Sequence, residues 1–448
     1  MYSKLNQEFD NTGLPWHKMK PRHWKVKKVK NIAVVKSSKR VFEEQYRSTG
    51  IPFYRSKEIV ELANNKEISI DLFIESELYK EFDKKFGIPK KGDLLITSIG
   101  TIGEVWISDG REFYYKDGNI TQLISGEELE PEFIKYCFQS NFFKEQYTMM
   151  SAGSTLMALT IEKIKELYVL LPSKDEQKLI INYLNDKIKT VDELISNKQV
   201  LIQLLEEKRQ SMITEAVTKG LNPNVKMKDS GVEWIGEIPE YWNLTILSRV
   251  AEVIDPEPSH RAPAFAKGEG FPYVGIRDIN SDGTVNIETA RPIEEESLIE
   301  QEQRFAIEPS DIVFCRVATL GLPKILKTDK RIALSATLAL IKSKKSIDNL
   351  YLLYYLKSDV IKVQTALYAT GSTRKSLGME TIRKFSLIFP PLGEQKEISR
   401  YLNVKINAID ENVLFIERQI EKLKEYRQSL IYEAVTGKID VRDFEVKA

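Results

Sequence analysis

The sequence predicts an α/β (α+β) chain: two globular domains separated by two long antiparallel coiled-coil helices and related by an internal pseudo-twofold repeat. Three observations predict it. Residues 1–222 and 223–448 stay in register at a shift of about 218 positions, so that Glu176-Gln177-Lys178 falls on Glu394-Gln395-Lys396 and Glu215-Ala216-Val217-Thr218 on Glu433-Ala434-Val435-Thr436. In each half a stretch of apolar residues recurs at alternating steps of four and three, the seam of a coiled coil. Ahead of each such stretch, short apolar runs separated by glycine turns read as strands.

The elements follow in order. In the first half Lys91-Gly92-Asp93 leads into Leu94-Leu95-Ile96, then Thr101-Ile102-Gly103 and Val105-Trp106-Ile107, a strand, a turn and a return strand. The second half repeats this around Asp311, Ile312-Val313-Phe314, Thr319-Leu320-Gly321 and Lys324-Ile325-Leu326. Helical patterns follow at Pro131–Met150 and Ile347–Tyr368, and each ends in a loop reading Gly-Ser-Thr, at 153–155 and 371–373. The seams run Leu184, Ile188, Val191, Ile195 and onward to Ala216, and Leu402, Ile406, Ile409, Val413 and onward to Ala434. Each helix is expected to run some 40 residues, ~60 Å at the helical rise. Arg209 and Arg427 interrupt the seams at equivalent places. Such an arginine either pairs with Glu215, Glu433 or the opposite helix, or lies along the seam with its head in water. The expected boundaries are a first domain at 1–173, a helix at 174–219, a second domain at 220–391, a helix at 392–437 and a tail at 438–448.

Composition adds mild bounds. The chain is 42% hydrophobic and 29% charged with a net charge of +1, ordinary for a globular protein. No secretory start and no apolar run of membrane-spanning length is present, so a cytoplasmic location is expected. Cys137 and Cys315 do not align between the halves, and His17, His23 and His260 lack ligand spacing, which argues against a disulfide or a metal. No cofactor is expected. Basic residues crowd 18–40, including Lys18, Lys20, Arg22, Lys27, Lys28, Lys30 and Arg40; the plain reading is a solvated strand face. No phosphate-loop pattern, no Asn/Asp-Pro-Pro-aromatic tetrapeptide and no dinucleotide fingerprint occurs, so the chain reads as non-catalytic. The Glu-Gln-Lys triplets superficially resemble a nuclease motif, but acids at a helix start are explained by the helix dipole.

The proline-ended strand followed by Glu-Gln and a long helix, at Pro172…Glu176-Gln177 and Pro390-Pro391…Glu394-Gln395, occurs twice beside the closing Glu-Ala-Val-Thr segments. With the run Trp234–Trp242 and the Gly-Ser-Thr loops, this set resembles the specificity subunit of type I restriction–modification systems over essentially the whole length. The first half departs at its opening, where Trp16–Trp24 keeps only the tryptophans and the proline. The resemblance implies two target-recognition domains, each reading one half of a split, asymmetric double-stranded DNA target. It also implies docking of two modification (adenine methyltransferase) subunits, joined by restriction subunits.

Three places in each half are candidates for DNA contact. The first is Tyr54, Arg55 and Lys57, matched by Tyr273, Arg277 and Asp278; the second is Thr97, Ser98 and Thr101, matched by Arg316 and Thr319. The third is the Gly-Ser-Thr loop, with Ser154 and Thr155, and with Ser372, Thr373, Arg374 and Lys375. Arginine suits bidentate pairing with guanine, whereas serine, threonine and lysine hold phosphate. Two other readings stay open: a specificity subunit for an enzyme that cuts without a translocating motor, and a helical scaffold whose heads bind protein.

Overall fold

The computed structural model describes residues 8–150, 158–259, 262–372, 374–442 and 444. They fall into two compact units, Met1–Lys198 with Arg418–Ala448, and Gln199–Glu417. The units do not follow the linear order of domains and helices, because each takes half of either long helix.

In the first unit a four-stranded antiparallel sheet has the order Ala33–Lys36, Ile120–Ser125, Leu94–Thr97, Val105–Ile107. Every residue of Leu94–Thr97 is buried, as a continuous apolar run between two neighbours requires. A smaller sheet joins Phe73–Ile74, Ile51–Tyr54 and Tyr114–Tyr115, its last pair parallel. Strand Lys25–Lys28 pairs antiparallel with Tyr168–Leu171, the strand that feeds the first long helix.

The second unit repeats the plan. Its four-stranded sheet runs Ala251–Ile254, Leu338–Ser343, Ile312–Cys315, Gly321–Ile325, and its smaller one Arg291–Ile293, Phe271–Val274, Ala333–Leu334. Asn243 faces Phe389 as Lys25 faces Leu171, the same register shifted by the repeat.

The long helices are Lys174–Lys219, of 46 residues, and Leu392–Val435, of 44. Their starts are pinned by the Glu-Gln pair. Gln177 is fully buried; its side-chain oxygen accepts from the Glu130 N–H, and its amide donates to the carbonyls of Glu128 and Pro172. Gln395 does the same with Asp348 and Pro390. Glu176 accepts from the indole N–H of Trp24 at 3.0 Å, and Glu394 from that of Trp242 at 3.0 Å. The acids are thus tethers for the repeated tryptophans, Trp24 and Trp242, as well as helix-dipole partners.

The seam is buried or half-buried along both helices. In the first unit Asp192 meets Arg427 and Lys198 meets Gln419, so position rises on one helix as it falls on the other. That is antiparallel packing. Its consequence is an exchange of ends: Leu430, Ile431, Ala434 and Val435 sit in the core of the first unit with Trp24, Ile180 and Leu184. Ile213, Ala216 and Val217 sit in that of the second with Trp242, Ile398 and Leu402. Gly437 closes the second helix in the left-handed region, where a Cβ would come within 2.4 Å of the Pro21 ring, so only glycine fits.

Candidate nucleic-acid interface

In the second unit the candidate residues converge around two loops. Strand Ile312–Cys315 leads into Arg316, whose backbone N–H donates to the Thr337 carbonyl at 2.8 Å and whose carbonyl accepts from Leu377 at 2.8 Å. The loop at 370–376 closes on itself through Thr370 and Ser376, and Lys375 accepts at its carbonyl from the Ala318 N–H at 2.8 Å. The second and third candidate segments therefore form one surface. Gly371 makes the turn possible, since a Cβ there would stand 2.5 Å from the Arg374 carbonyl oxygen. Ala318 holds a left-handed φ of 67°, a strained conformation for a residue with a side chain. Thr319, Ser372, Arg374 and Lys375 are exposed, and the two cations make no ion pair among the described residues. Thr373 lies outside the described residues.

The first candidate segment reaches the same neighbourhood through the turn at 335–337. Tyr273 is half-buried and its hydroxyl accepts from the Ala336 N–H at 3.1 Å, one residue from the Thr337 carbonyl that holds Arg316. Arg277 is exposed, while Asp278 is spent locally, accepting from the Gly275 N–H and the Thr289 hydroxyl.

The first unit keeps the frame with different groups. Ser98 donates its backbone N–H to the Asn119 carbonyl and accepts from Leu159, the repeat equivalents of the Arg316 bonds. Lys57 and Thr101 are exposed. Arg55 is half-buried and held by Glu58 at 2.7 Å, with Asp71 at 3.5 Å; the bond to Glu58 is the main reason its pKa is raised. Ser154 and Thr155 lie outside the described residues.

Four expectations are corrected. Tyr54 is 1% exposed, stacked on Phe113 at 4.6 Å, and burial pushes its hydroxyl pKa up, so it is a core ring and no surface reader. Thr97 is fully buried, its hydroxyl donating to the Thr101 carbonyl, and Ser98 is buried against the Thr121 hydroxyl at 2.8 Å. Arg316 is 7% exposed and its guanidinium turns inward to Asp255 at 3.3 Å. The cause is common to all: these residues lie on or beside central strands that are covered on both faces, so that consecutive side chains, Phe53 with Tyr54, Thr97 with Ser98 and Cys315 with Arg316, are buried together.

A family model described as the type I restriction modification DNA specificity domain matches residues 21–204 and again 239–422. The chain belongs to that family. The two matches are offset by the same 218 positions that relate the halves. The chain is similar to the type I restriction enzyme MjaIX specificity subunit of Methanocaldococcus jannaschii, 24% identical over 440 residues that cover 94% of this chain and 95% of that one. It is 24% identical over 295 residues to the EcoBI specificity subunit of Escherichia coli, covering 64% and 62%. A solved chain from work on complex assembly and conformational transition of the type I R-M system superposes with a TM-score of 0.68 at 17% identity, covering 94% of this chain and 99% of that chain, and shares the fold. As a type I specificity subunit, the chain is a DNA-recognition component and not the catalytic one.

Residues missed from sequence are those supplied by distant segments. Asp255 partners Arg316 from 61 positions away, and Lys324 donates to the carbonyls of Ile276 and Ile279, bracing the turn that carries Arg277. No local signal marks either. Half of the ten Lys and Arg residues at 18–40 are paired within their own unit: Arg22 with Glu8 and Asp10, Lys27 with Glu128, Lys28 and Lys30 with Glu166, and Arg40 with Asp117. Cys137 and Cys315 are free, buried thiols whose pKa values burial raises. Among the described residues no group of three or more His, Cys, Asp or Glu is placed to hold a metal ion, and no helix is long and apolar enough to cross a membrane.

Proposed function

We propose that each unit reads one half of a bipartite, asymmetric double-stranded DNA target, working in the cytoplasm. The observation that carries this is the shared surface of the second unit, where Arg374, Lys375, Ser372 and Thr319 stand exposed on two interlocked loops, the cations in no ion pair among the described residues. Cations presented this way suit phosphate, and Arg277 adds a third at the adjacent turn. In the first unit Lys57, Thr101, Ser154 and Thr155 are the corresponding candidates, and Arg55 must give up its carboxylates to take part. One frame bearing unlike side chains accounts for an asymmetric target.

On this reading the long helices fix the number of unspecified base pairs between half-sites and dock two modification subunits, which carry the adenine methyltransferase, with restriction subunits joining the complex. Val200, Leu201 and Leu204 on the first helix and Leu414 and Phe415 on the second are each at least 45% exposed, apolar surface of the kind a partner covers.

The test is a mobility-shift titration with random-sequence duplex at several salt concentrations, alone and with the modification subunit. Binding that weakens steeply with salt supports the reading. Its absence in both conditions leaves the protein-binding scaffold.

A further inference from the structure

Both long helices carry a tyrosine followed one turn later by a lysine, Tyr183 and Lys187 in the first, Tyr401 and Lys405 at the equivalent positions of the second. In the first unit this pair is occupied. The segment after the second helix turns at Gly437, buries Val441, and sets Phe444 edge-on to Tyr183 with ring centroids 5.0 Å apart and planes at 88°. The Lys187 ammonium lies 5.4 Å from the centre of the same phenyl ring. An aromatic ring held by one ring edge and one cation is a defined small receptor.

In the second unit the same receptor is open. Tyr401 is 39% exposed, and Lys405 is exposed and in no ion pair among the described residues. Tyr401 borders a groove of about 490 Å³ together with Leu221, Pro223, Val225 and Met227. Connectivity is the reason. The segment after the first helix runs on into strand Met227–Asp229, so it passes along the groove instead of folding back to fill it.

We propose that the Tyr401 groove docks an extended peptide segment of a partner protein, one that presents an aromatic side chain beside acidic residues. The molecule supplies its own template for that ligand, since the ring seated on Tyr183 and Lys187 belongs to the sequence Asp443-Phe444-Glu445. The aromatic ring meets Tyr401 and Lys405, as Phe444 meets Tyr183 and Lys187, and the flanking acids meet Arg400, which is likewise exposed and in no ion pair among the described residues. The proposal concerns a protein partner and stands apart from the DNA reading.

The probe is a fluorescent synthetic peptide with the sequence of residues 438–448, titrated against the full chain by anisotropy. The expected result is saturable binding that Tyr401→Ala and Lys405→Glu each weaken about tenfold or more, the loss usual for a buried aromatic anchor. Replacing the peptide's phenylalanine by alanine should match that loss, whereas Tyr183→Ala should leave binding intact. Both altered side chains are exposed, and circular dichroism verifies that the variants fold. No saturable binding, equal binding by Tyr401→Ala, or a loss confined to Tyr183→Ala overturns the proposal. A self-associated full chain that Tyr401→Ala renders monomeric in sedimentation overturns it in favour of a second copy as occupant.

Discussion

Arg209 donates to Asp410 at 2.8 Å across the helical pair of the second unit, and its repeat equivalent Arg427 donates to Asp192 at 3.0 Å in the first. The two bridges are one bridge made twice. Each joins an arginine of one repeat to an aspartate of the other, so the pattern requires the helices to run antiparallel and fixes which residues oppose.

Both partners of the Arg209–Asp410 bridge are more than a third exposed, so its energetic worth is small. A double-mutant cycle with Arg209→Ala and Asp410→Ala should give a coupling of about 0.2–1 kcal/mol in denaturant unfolding, shrinking at high salt. A coupling of several kcal/mol would show that the bridge, and not the apolar seam, holds the pair.

Gln395 should matter more than its polarity suggests. Gln395→Leu leaves the Asp348 N–H and the Pro390 carbonyl without their partner in a buried setting, a loss of about 1–3 kcal/mol. Gln177→Leu should cost a similar amount, and equal shifts in denaturation midpoint would verify that the two helix starts are built alike.

Exposed and inward-turned cations should separate in DNA binding. Lys375→Ala should weaken binding across all sequences and lower the salt slope by about one, as loss of a phosphate contact does. Arg316→Ala should instead lower stability first, because it strands the largely buried Asp255 carboxylate. Salt-series binding curves beside thermal melts distinguish the two; a slope unchanged by Lys375→Ala would remove that residue from the interface.

Glu166, bonded to Lys28 and Lys30, has its pKa lowered from 4.5 to about 2 by those two ammonium groups. A depressed carboxylate stabilises the fold above its unfolded pKa and loses that contribution as the pH falls through the folded one. The link between the Lys25–Lys28 strand and the helix Ile161–Glu166 should therefore be complete above 4.5 and lost on descent toward 2. Carboxyl NMR of Glu166 reads this directly, and an ordinary titration midpoint would refute it.

If the helices set the separation of half-sites, adding seven residues to both at opposing positions should lengthen the unspecified spacer. The added rise is about 10 Å, or about three base pairs at 3.4 Å each. Sequencing of modified sites in cells carrying the variant would show the change; an unaltered spacer would exclude the ruler.

Much of the architecture was legible because it is periodic. The four-three spacing of Leu184 to Ala216 and Leu402 to Ala434 could be satisfied only by a long helix with one buried face, and the structure buries that face. The interface was less legible. Ser98, Tyr54 and Arg316 have the chemistry of DNA contacts, yet neighbouring strands cover them, while Thr319, Arg374 and Lys375 stay exposed because they occupy loops.

The amino-acid order alone determined the duplication, the helical periods, the turn glycines and the family motifs, since each is a property of spacing along the chain. Only the tertiary structure decided that Arg209 pairs with Asp410 and not Glu215, that each helix ends in the other repeat's core, and that Tyr401 is left open where Tyr183 is covered. These depend on which distant surfaces meet. That is settled by burying two apolar seams at once, a condition no local stretch of sequence contains.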